Sequence, residues 1–236
     1  MREDGTLGEA AVSIQHSGSS IDQRRQSGPH AHSVNISRDN RFLIVTDLGL
    51  DEVLVYRFHA MEGSLTPHDP PFIKMAPGSG PRHFTFSPDG KSAWVLNEMN
   101  ATVTSLSYDE TLGRFTNRQT VSTVPGDFSG TRSGAEILVH PSGKFLYTSN
   151  RGHDSIAVFN LGTAGVSFGS ATWVPTRGKT PRSFAMDPNG SFVVTANQDS
   201  DNLTVFRVDA KSGGLSAAGD PVEAPVPVSV VFVAGR

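Results

Sequence analysis

The chain has no cysteine among its 236 residues, which excludes disulfides and thiolate metal sites and fits a reducing compartment. It has no apolar run of membrane-spanning length. Its first residues, Met1-Arg-Glu-Asp-Gly-Thr-Leu-Gly8, lack the apolar centre of a secretory signal. A cytoplasmic location with no membrane partner is the expectation. There is no basic block either: 20 Lys and Arg stand against 23 Asp and Glu, so no nucleic-acid footprint is visible. No segment carries a convincing helical periodicity, and Asp109 to Gly113 reads as a turn. Glycine-rich phosphate loops, nucleophile elbows and zinc-binding helices have no match.

What is plentiful is punctuation. Gly 24 and Pro 15 break the chain into many short elements, which favours an all-β protein. The breaks recur. Ser37, Ser87, His140 and Asp187 each open a turn, at spacings of 50, 53 and 47 residues. Three residues on stand Asn40, Gly90, Gly143 and Gly190, types that tolerate a positive φ. Pro88, Pro141 and Pro188 preset φ at the first central position, where the first copy has Arg38.

Around each turn the apolar pattern repeats. Val34-Asn-Ile36, Phe84-Thr-Phe86, Ile137-Leu-Val139 and Phe184-Ala-Met186 precede the turns. Phe42-Leu-Ile-Val45, Ala93-Trp-Val-Leu96, Phe145-Leu-Tyr147 and Phe192-Val-Val194 follow them. A third run begins at Val53, Val103, Ile156 and Leu203, and a fourth, less defined, follows Gly63, Gly113 and Gly214. Four-stranded antiparallel units repeated at about this period are blades of a β-propeller. The sequence therefore predicts one propeller domain over 1–236, with four repeats at 28–224. Residues 1–27 are expected to hold the outer strand of an incomplete blade plus a loop, on the strength of Gly5-Thr-Leu7. Residues 225–236 are expected to hold a closing inner strand, Pro225-Val-Pro-Val-Ser-Val-Val-Phe-Val233. Four repeats and two orphan strands do not close a ring, and open sheet edges invite self-association.

These residues resemble the seven-bladed propeller lactonase family, which includes propeller-type bacterial 6-phosphogluconolactonases and fungal 3-carboxymuconate-lactonizing enzymes. The resemblance rests on Gly28-Pro-His-Ala-His-Ser33, Gly80-Pro-Arg-His83, Asn97-Glu98, Ala135-Glu136, Asn150-Arg-Gly-His-Asp-Ser155, Gly178-Lys-Thr-Pro-Arg182, Asn197-Gln-Asp-Ser200 and the closing Pro-Val-Pro-Val. It implies that four to five of seven blades are present and about three N-terminal blades are not.

Candidate site residues are those that break the internal consensus at one end of the inner strands. Five positions before the turn stand His32, Arg82, Ala135 and Arg182; four before it, Ser33, His83, Glu136 and Ser183; eleven after it, Leu48, Glu98, Arg151 and Gln198. Arg82, Arg151 and Arg182 suit a carboxylate or phosphate. Glu98 and His32 suit acid–base work, and Glu136 and His30 are expected to touch substrate. The resemblance places family active-site residues at His32, Arg82, Glu98 and Arg151. Hydrolysis of an anionic sugar-acid lactone such as 6-phosphogluconolactone is the expected activity, against a carboxymuconate-type cycloisomerase or a non-catalytic binding module. Against catalysis stand plainer roles: a cross-strand Arg82–Glu98 ion pair, a loop hydrogen bond for His30, packing between blades for His83, and a repeated structural hydrogen bond for Asn97, Asn150 and Asn197. No cofactor is expected. Asn97, Glu98 and Glu136 offer oxygens to calcium, but the arginines beside them would repel a cation.

Overall fold

A computed structural model of the chain describes residues 4–162 and 166–233. The four predicted turns close alike. The amide three residues on donates to the carbonyl of the opening residue: Asn40 to Ser37 at 2.8 Å, Gly90 to Ser87 at 2.9 Å, Gly143 to His140 at 2.8 Å and Gly190 to Asp187 at 2.9 Å. The donors have φ of 57°, 73°, 71° and 74°, the left-handed region in which a Cβ is costly for most residues.

Each turn joins the first two strands of a four-stranded antiparallel sheet. The first sheet runs β1 (Ala31–Ile36), β2 (Phe42–Asp47), β3 (Glu52–His59), β4 (Ser64–Lys74). The second is β5 (Pro81–Phe86), β6 (Ser92–Asn97), β7 (Thr102–Asp109), β8 (Arg114–Ser122). The third is β9 (Ser133–Val139), β10 (Phe145–Arg151), β11 (Ser155–Leu161), β12 (Phe168–Pro175). The fourth is β13 (Pro181–Met186), β14 (Phe192–Asn197), β15 (Asn202–Val208), with an outer strand in two pieces, β16 (Leu215–Ala217) and β17 (Val222–Glu223), both paired to β15. One 3₁₀ turn, Gln198–Ser200, is the sole helical element among the described residues. It is far too short to cross a membrane.

The sheets stack face to face through three apolar slabs. Strand β6 shows how. It is buried on both faces, so its alternation sends Ala93 and Val95 against Phe42, Ile44 and Val55 of the first sheet. Trp94 and Leu96 go the other way, against Ile137, Leu146 and Phe159 of the third. A third slab joins Phe145, Tyr147 and Val158 to Phe184, Val193 and Phe206. The inner strands thereby lie side by side, β1 against β5, β5 against β9 and β9 against β13.

Adjacent sheets also lock at their outer hairpins. Gly113 has φ 67°, and a Cβ there would overlap the buried Phe42 ring of the preceding sheet. Gly113→Ala combines left-handed strain with overpacking. It is expected to cost about 2–4 kcal/mol, read as a lower denaturant midpoint at unchanged slope.

The recurring Asn slot is structural. Asn97, Asn150 and Asn197 are buried: Asn150 Nδ2 donates to Thr123 O at 2.7 Å and Asn197 Nδ2 to Thr176 O at 3.2 Å on neighbouring loops, while Asn97 Nδ2 donates to Thr102 Oγ1 at 3.0 Å and Thr104 Oγ1 at 3.2 Å on β7. Asp47, in the same slot, accepts from the amides of His30, Gly49 and Leu50.

The two end segments depart from expectation. Residues 4–30 contain no strand, and neither do residues 224–233; residues 1–3 and 234–236 lie outside the described residues. A strand needs a hydrogen-bonding partner, and neither segment meets one among the described residues. The first lies instead along the outer face of the first sheet, where Val12, Ile14 and His16 line a cavity of about 390 Å³ with Leu43, Val45 and Tyr56. The second starts in register, with the Val226 amide donating to Asp201 Oδ1 at 2.8 Å. Asp154 takes the Thr180 amide the same way ahead of β13.

Candidate active site

The site lies where the inner strands begin and the second strands end. At the start of β1, β5 and β13 the ladder slips by one residue, between Ala31 and Ser33, Pro81 and His83, and Pro181 and Ser183. The extra residue of each β-bulge is His32, Arg82 and Arg182 respectively. A bulge breaks the strict alternation of a strand and re-aims its side chains. The consequence is plainest in β5, where the consecutive residues Arg82 and His83 touch, Arg82 Nη1 lying 3.0 Å from His83 Nε2.

Glu98, the residue after β6, is the anchor. Its amide donates to Gly80 O at 2.7 Å, and its carbonyl accepts from the Gly134 amide at 3.0 Å, so its backbone is fixed to two sheets. Its carboxylate is buried among three arginines. Oε2 meets Arg82 Nε at 2.9 Å and Arg151 Nη2 at 3.0 Å; Oε1 accepts from Arg25 Nη2 at 2.8 Å. Burial is the largest influence on its pKa and acts upward, but Arg151, Arg25 and Arg82 together outweigh it. The carboxyl titrates below its ordinary range and is ionised at neutral pH.

Arg82 is 3% exposed and also donates to the Ala135 carbonyl. Burial, then the charge of Arg151, lowers its pKa to about 10, with Glu98 and Glu136 opposing, so it stays protonated. Its own carbonyl accepts from Thr46 Oγ1 at 2.6 Å, and Thr46 is bonded in turn to Ser33. Arg151, at the end of β10, donates to Gly134 O at 3.1 Å. Its Nε is buried with no hydrogen-bond partner. Arg182 is half-buried, lies close enough to Arg82 and Arg151 to depress both, and has no hydrogen-bond or ion-pair partner among the described residues. Four guanidinium groups thus face two carboxylates, with donors to spare.

His83 bridges blades, as the sequence suggests, and does so beside the candidate site: its ring meets His32 of β1 and its imidazole meets Glu136 of β9. Its Nδ1 lies 2.5 Å from Glu136 Oε1. A guanidinium offers no acceptor, so His83 Nε2 accepts from Arg82 and Nδ1 carries the proton donated to Glu136. Glu136 also accepts from Ser183 Oγ at 3.4 Å. Both nitrogens of His83 are therefore committed to holding Arg82 and Glu136.

His32 is different. Its ring packs edge-on against His83 at 5.2 Å between centroids, and its nitrogens have no hydrogen-bond partner among the described residues. Its pKa is lowered to about 4 by desolvation first, then by Arg82 and His83, with Glu98 pulling upward. His32 is an exposed residue, so water screens much of that desolvation and the drop is smaller, though still downward. His32 is neutral at pH 7.

His30 makes the loop hydrogen bond that the sequence set against a substrate contact. His30 Nδ1 bonds the Arg25 carbonyl at 2.8 Å, a loop-holding role, and so meets the site through Arg25. Arg25 itself went unnoticed because it lies outside the repeat, where no sibling position exists for comparison. The structure thus brings together His32, Arg82, Glu98, Arg151, Arg182 and Glu136, and adds Arg25 and His83.

Known proteins resemble the chain over nearly its whole length. The sequence model of the family described as lactonase, 7-bladed beta-propeller, matches residues 1–232. A 6-phosphogluconolactonase of Bacillus subtilis is 36% identical over 233 residues, 99% of this chain and 65% of that protein. A crystal structure of a Lactobacillus plantarum protein superposes with a TM-score of 0.93 at 37% identity, covering 99% of this chain and 66% of that one. The periplasmic gluconolactonase of Pseudomonas aeruginosa follows at TM-score 0.91 and 36% identity, with 99% and 64% covered. The chain spans about half to two thirds of the length of the curated relatives it matches.

Proposed function

The chain belongs to the seven-bladed β-propeller lactonase family, and from that premise we propose that its arginine-lined mouth hydrolyses the lactone of an anionic sugar acid, 6-phosphogluconolactone being the best fit. The observation that carries the reading is the surplus of guanidinium donors. Arg182 and the Nε of Arg151 are unpaired beside a carboxylate that already holds three arginines. A phosphate fits donors of this kind in bidentate fashion. Names among the relatives, 6-phosphogluconolactonase and gluconolactonase, agree on lactone chemistry and divide on whether a phosphate is present. Arg182 favours the phosphorylated form.

His32 is the group free to take a proton. In the proposed reaction it removes one proton from a water molecule as the water oxygen bonds to the lactone carbonyl carbon. The carbonyl oxygen becomes an oxyanion and is met by the guanidinium groups. The ring carbon–oxygen bond then breaks, and the departing alkoxide takes the proton back from His32. Glu98 acts chiefly by fixing Arg82 and Arg151 and by favouring the imidazolium that forms transiently. This assigns Glu98 less proton transfer than the sequence suggested, since each of its oxygens already accepts from an arginine.

Arg182→Met is expected to raise KM for 6-phosphogluconolactone about tenfold or more, one charge-assisted contact, with a smaller change in kcat. Steady-state kinetics of the variant check this. An unchanged KM would remove Arg182 from the substrate site.

A further inference from the structure

Three arginines hold Glu98, but not equivalently. Arg82 and Arg151 are mostly buried and share Oε2; Arg25 alone serves Oε1, from a side chain 51% exposed. Their foundations differ as well. Arg82 and Arg151 stand on β5 and β10. Arg25 stands on a short loop built as a fixed base for a movable side chain. Asp22 Oδ1 accepts from the amides of Arg24 and Arg25 at 2.9 and 3.0 Å. Gln26 is fully buried, donating from Nε2 to Leu48 O at 2.9 Å and from its amide to Asp22 O at 2.6 Å. His30 closes the loop through the Arg25 carbonyl. The backbone at Arg25 is fixed from both sides, and among the described residues the only side-chain bond of its guanidinium is the one to Glu98.

We propose that Arg25 is an anion-responsive latch: it caps Glu98 Oε1 in the free protein and turns to the anionic group of an entering ligand, leaving Glu98 to Arg82 and Arg151. The inference rests on the lactonase reading for its substrate, but its geometry does not depend on that reading. An anion in the mouth offers Arg25 a second acceptor of the same sign in a site with guanidinium groups in excess, so the exchange replaces one charge-assisted bond by another. Its effect is to uncover, only when a charged ligand has arrived, an oxygen of a carboxylate whose charge acts on His32. Glu98 then supports the imidazolium more strongly, which couples recognition of the anion to the strength of the base. Arg25 is a positioning residue in this scheme, and it also discriminates between phosphorylated and unphosphorylated lactones.

The test compares wild type, Arg25→Ala and Arg25→Lys on 6-phosphogluconolactone and on the uncharged glucono-δ-lactone. The preference, taken as the ratio of the two kcat/KM values, is expected to fall about tenfold in Arg25→Ala and to recover in part in Arg25→Lys. Equal losses on both substrates, with the ratio unchanged, would make Arg25 a fixed support and overturn the latch. A second readout needs no activity. Inorganic phosphate is titrated while the Arg25 Nε–Hε and Glu98 carboxyl resonances are followed by NMR, and both are expected to shift together and saturably. A lactonase in which neither phosphate nor 6-phosphogluconate moves these signals keeps its reaction and loses the latch. A protein that shows the shifts but opens neither lactone keeps the latch and loses the proposed reaction.

Discussion

Glu98→Ala is expected to remove both stability and activity, and the two losses have separable causes. The substitution leaves Arg82, 3% exposed, and the mostly buried Arg151 without their shared carboxylate. Removing one partner of a buried pair typically costs about 3–5 kcal/mol. Here the lower end is expected, because Arg82 keeps its bonds to Ala135 O and His83 Nε2. Glu98→Gln keeps an acceptor and loses the charge, so it should unfold less readily than Glu98→Ala while still turning over poorly. A drop in kcat of about 10²–10³ is expected in Glu98→Gln, in line with loss of one group that organises charge around an oxyanion. The pH dependence has a definite sign. Glu98 has a lower pKa folded than unfolded, so its contribution is complete above the ordinary carboxylate range. It is lost as pH falls through the lower folded value. Glu98→Gln should therefore flatten the acid side of the stability curve, measured by urea denaturation between pH 3 and pH 7. An acid side identical to wild type would mean that the three arginines do not stabilise the carboxylate.

His32→Ala is expected to lower kcat by about 10²–10⁴, the usual worth of a general base, with little change in KM or stability because the ring makes no hydrogen bond. The pH profile is the sharper check. A base with a pKa of 6.5 is half lost at pH 6.5, whereas His32 is held well below that, towards about 4. Wild-type kcat/KM should stay level from pH 7 through pH 6 and fall only in a more acidic limb. Arg82→Met removes a positive charge that depresses His32, so the limb should move to higher pH even as the overall rate declines. A limb at or above 6.5 in wild type would rule out the neutral, arginine-flanked imidazole described here.

The scaffold was legible because its determinants are local. A φ-positive residue three positions after each turn opening and a period-2 apolar pattern specify a hairpin wherever they occur, and four copies reinforced one another. Comparing copies also singled out residues that the structure brings together: Arg82, Glu98, Arg151 and Arg182 stand out because sibling sheets hold Ala, Leu or Gln in those slots. Two kinds of information were not in the pattern. Alternation places His83 on the face opposite Arg82, but the bulge at Arg82 cancels the alternation, and a bulge has no composition signal there. Arg25 reaches Glu98 across 73 positions from a loop that belongs to no repeat. The end segments failed in the opposite direction. Gly5-Thr-Leu7 and Pro225–Val233 read as strands by likeness to their siblings, yet strand formation depends on a partner outside the segment, which no local pattern encodes.

An arginine-rich mouth with a free neutral histidine is proposed to open an anionic lactone. The most direct measurement is the rate at which the purified chain opens 6-phosphogluconolactone, with the spontaneous rate subtracted, beside glucono-δ-lactone under the same conditions. Turnover above background, a higher kcat/KM for the phosphorylated lactone, and loss of that turnover in His32→Ala are the expected results. No turnover of either lactone, together with no binding of 6-phosphogluconate, would contradict the proposal.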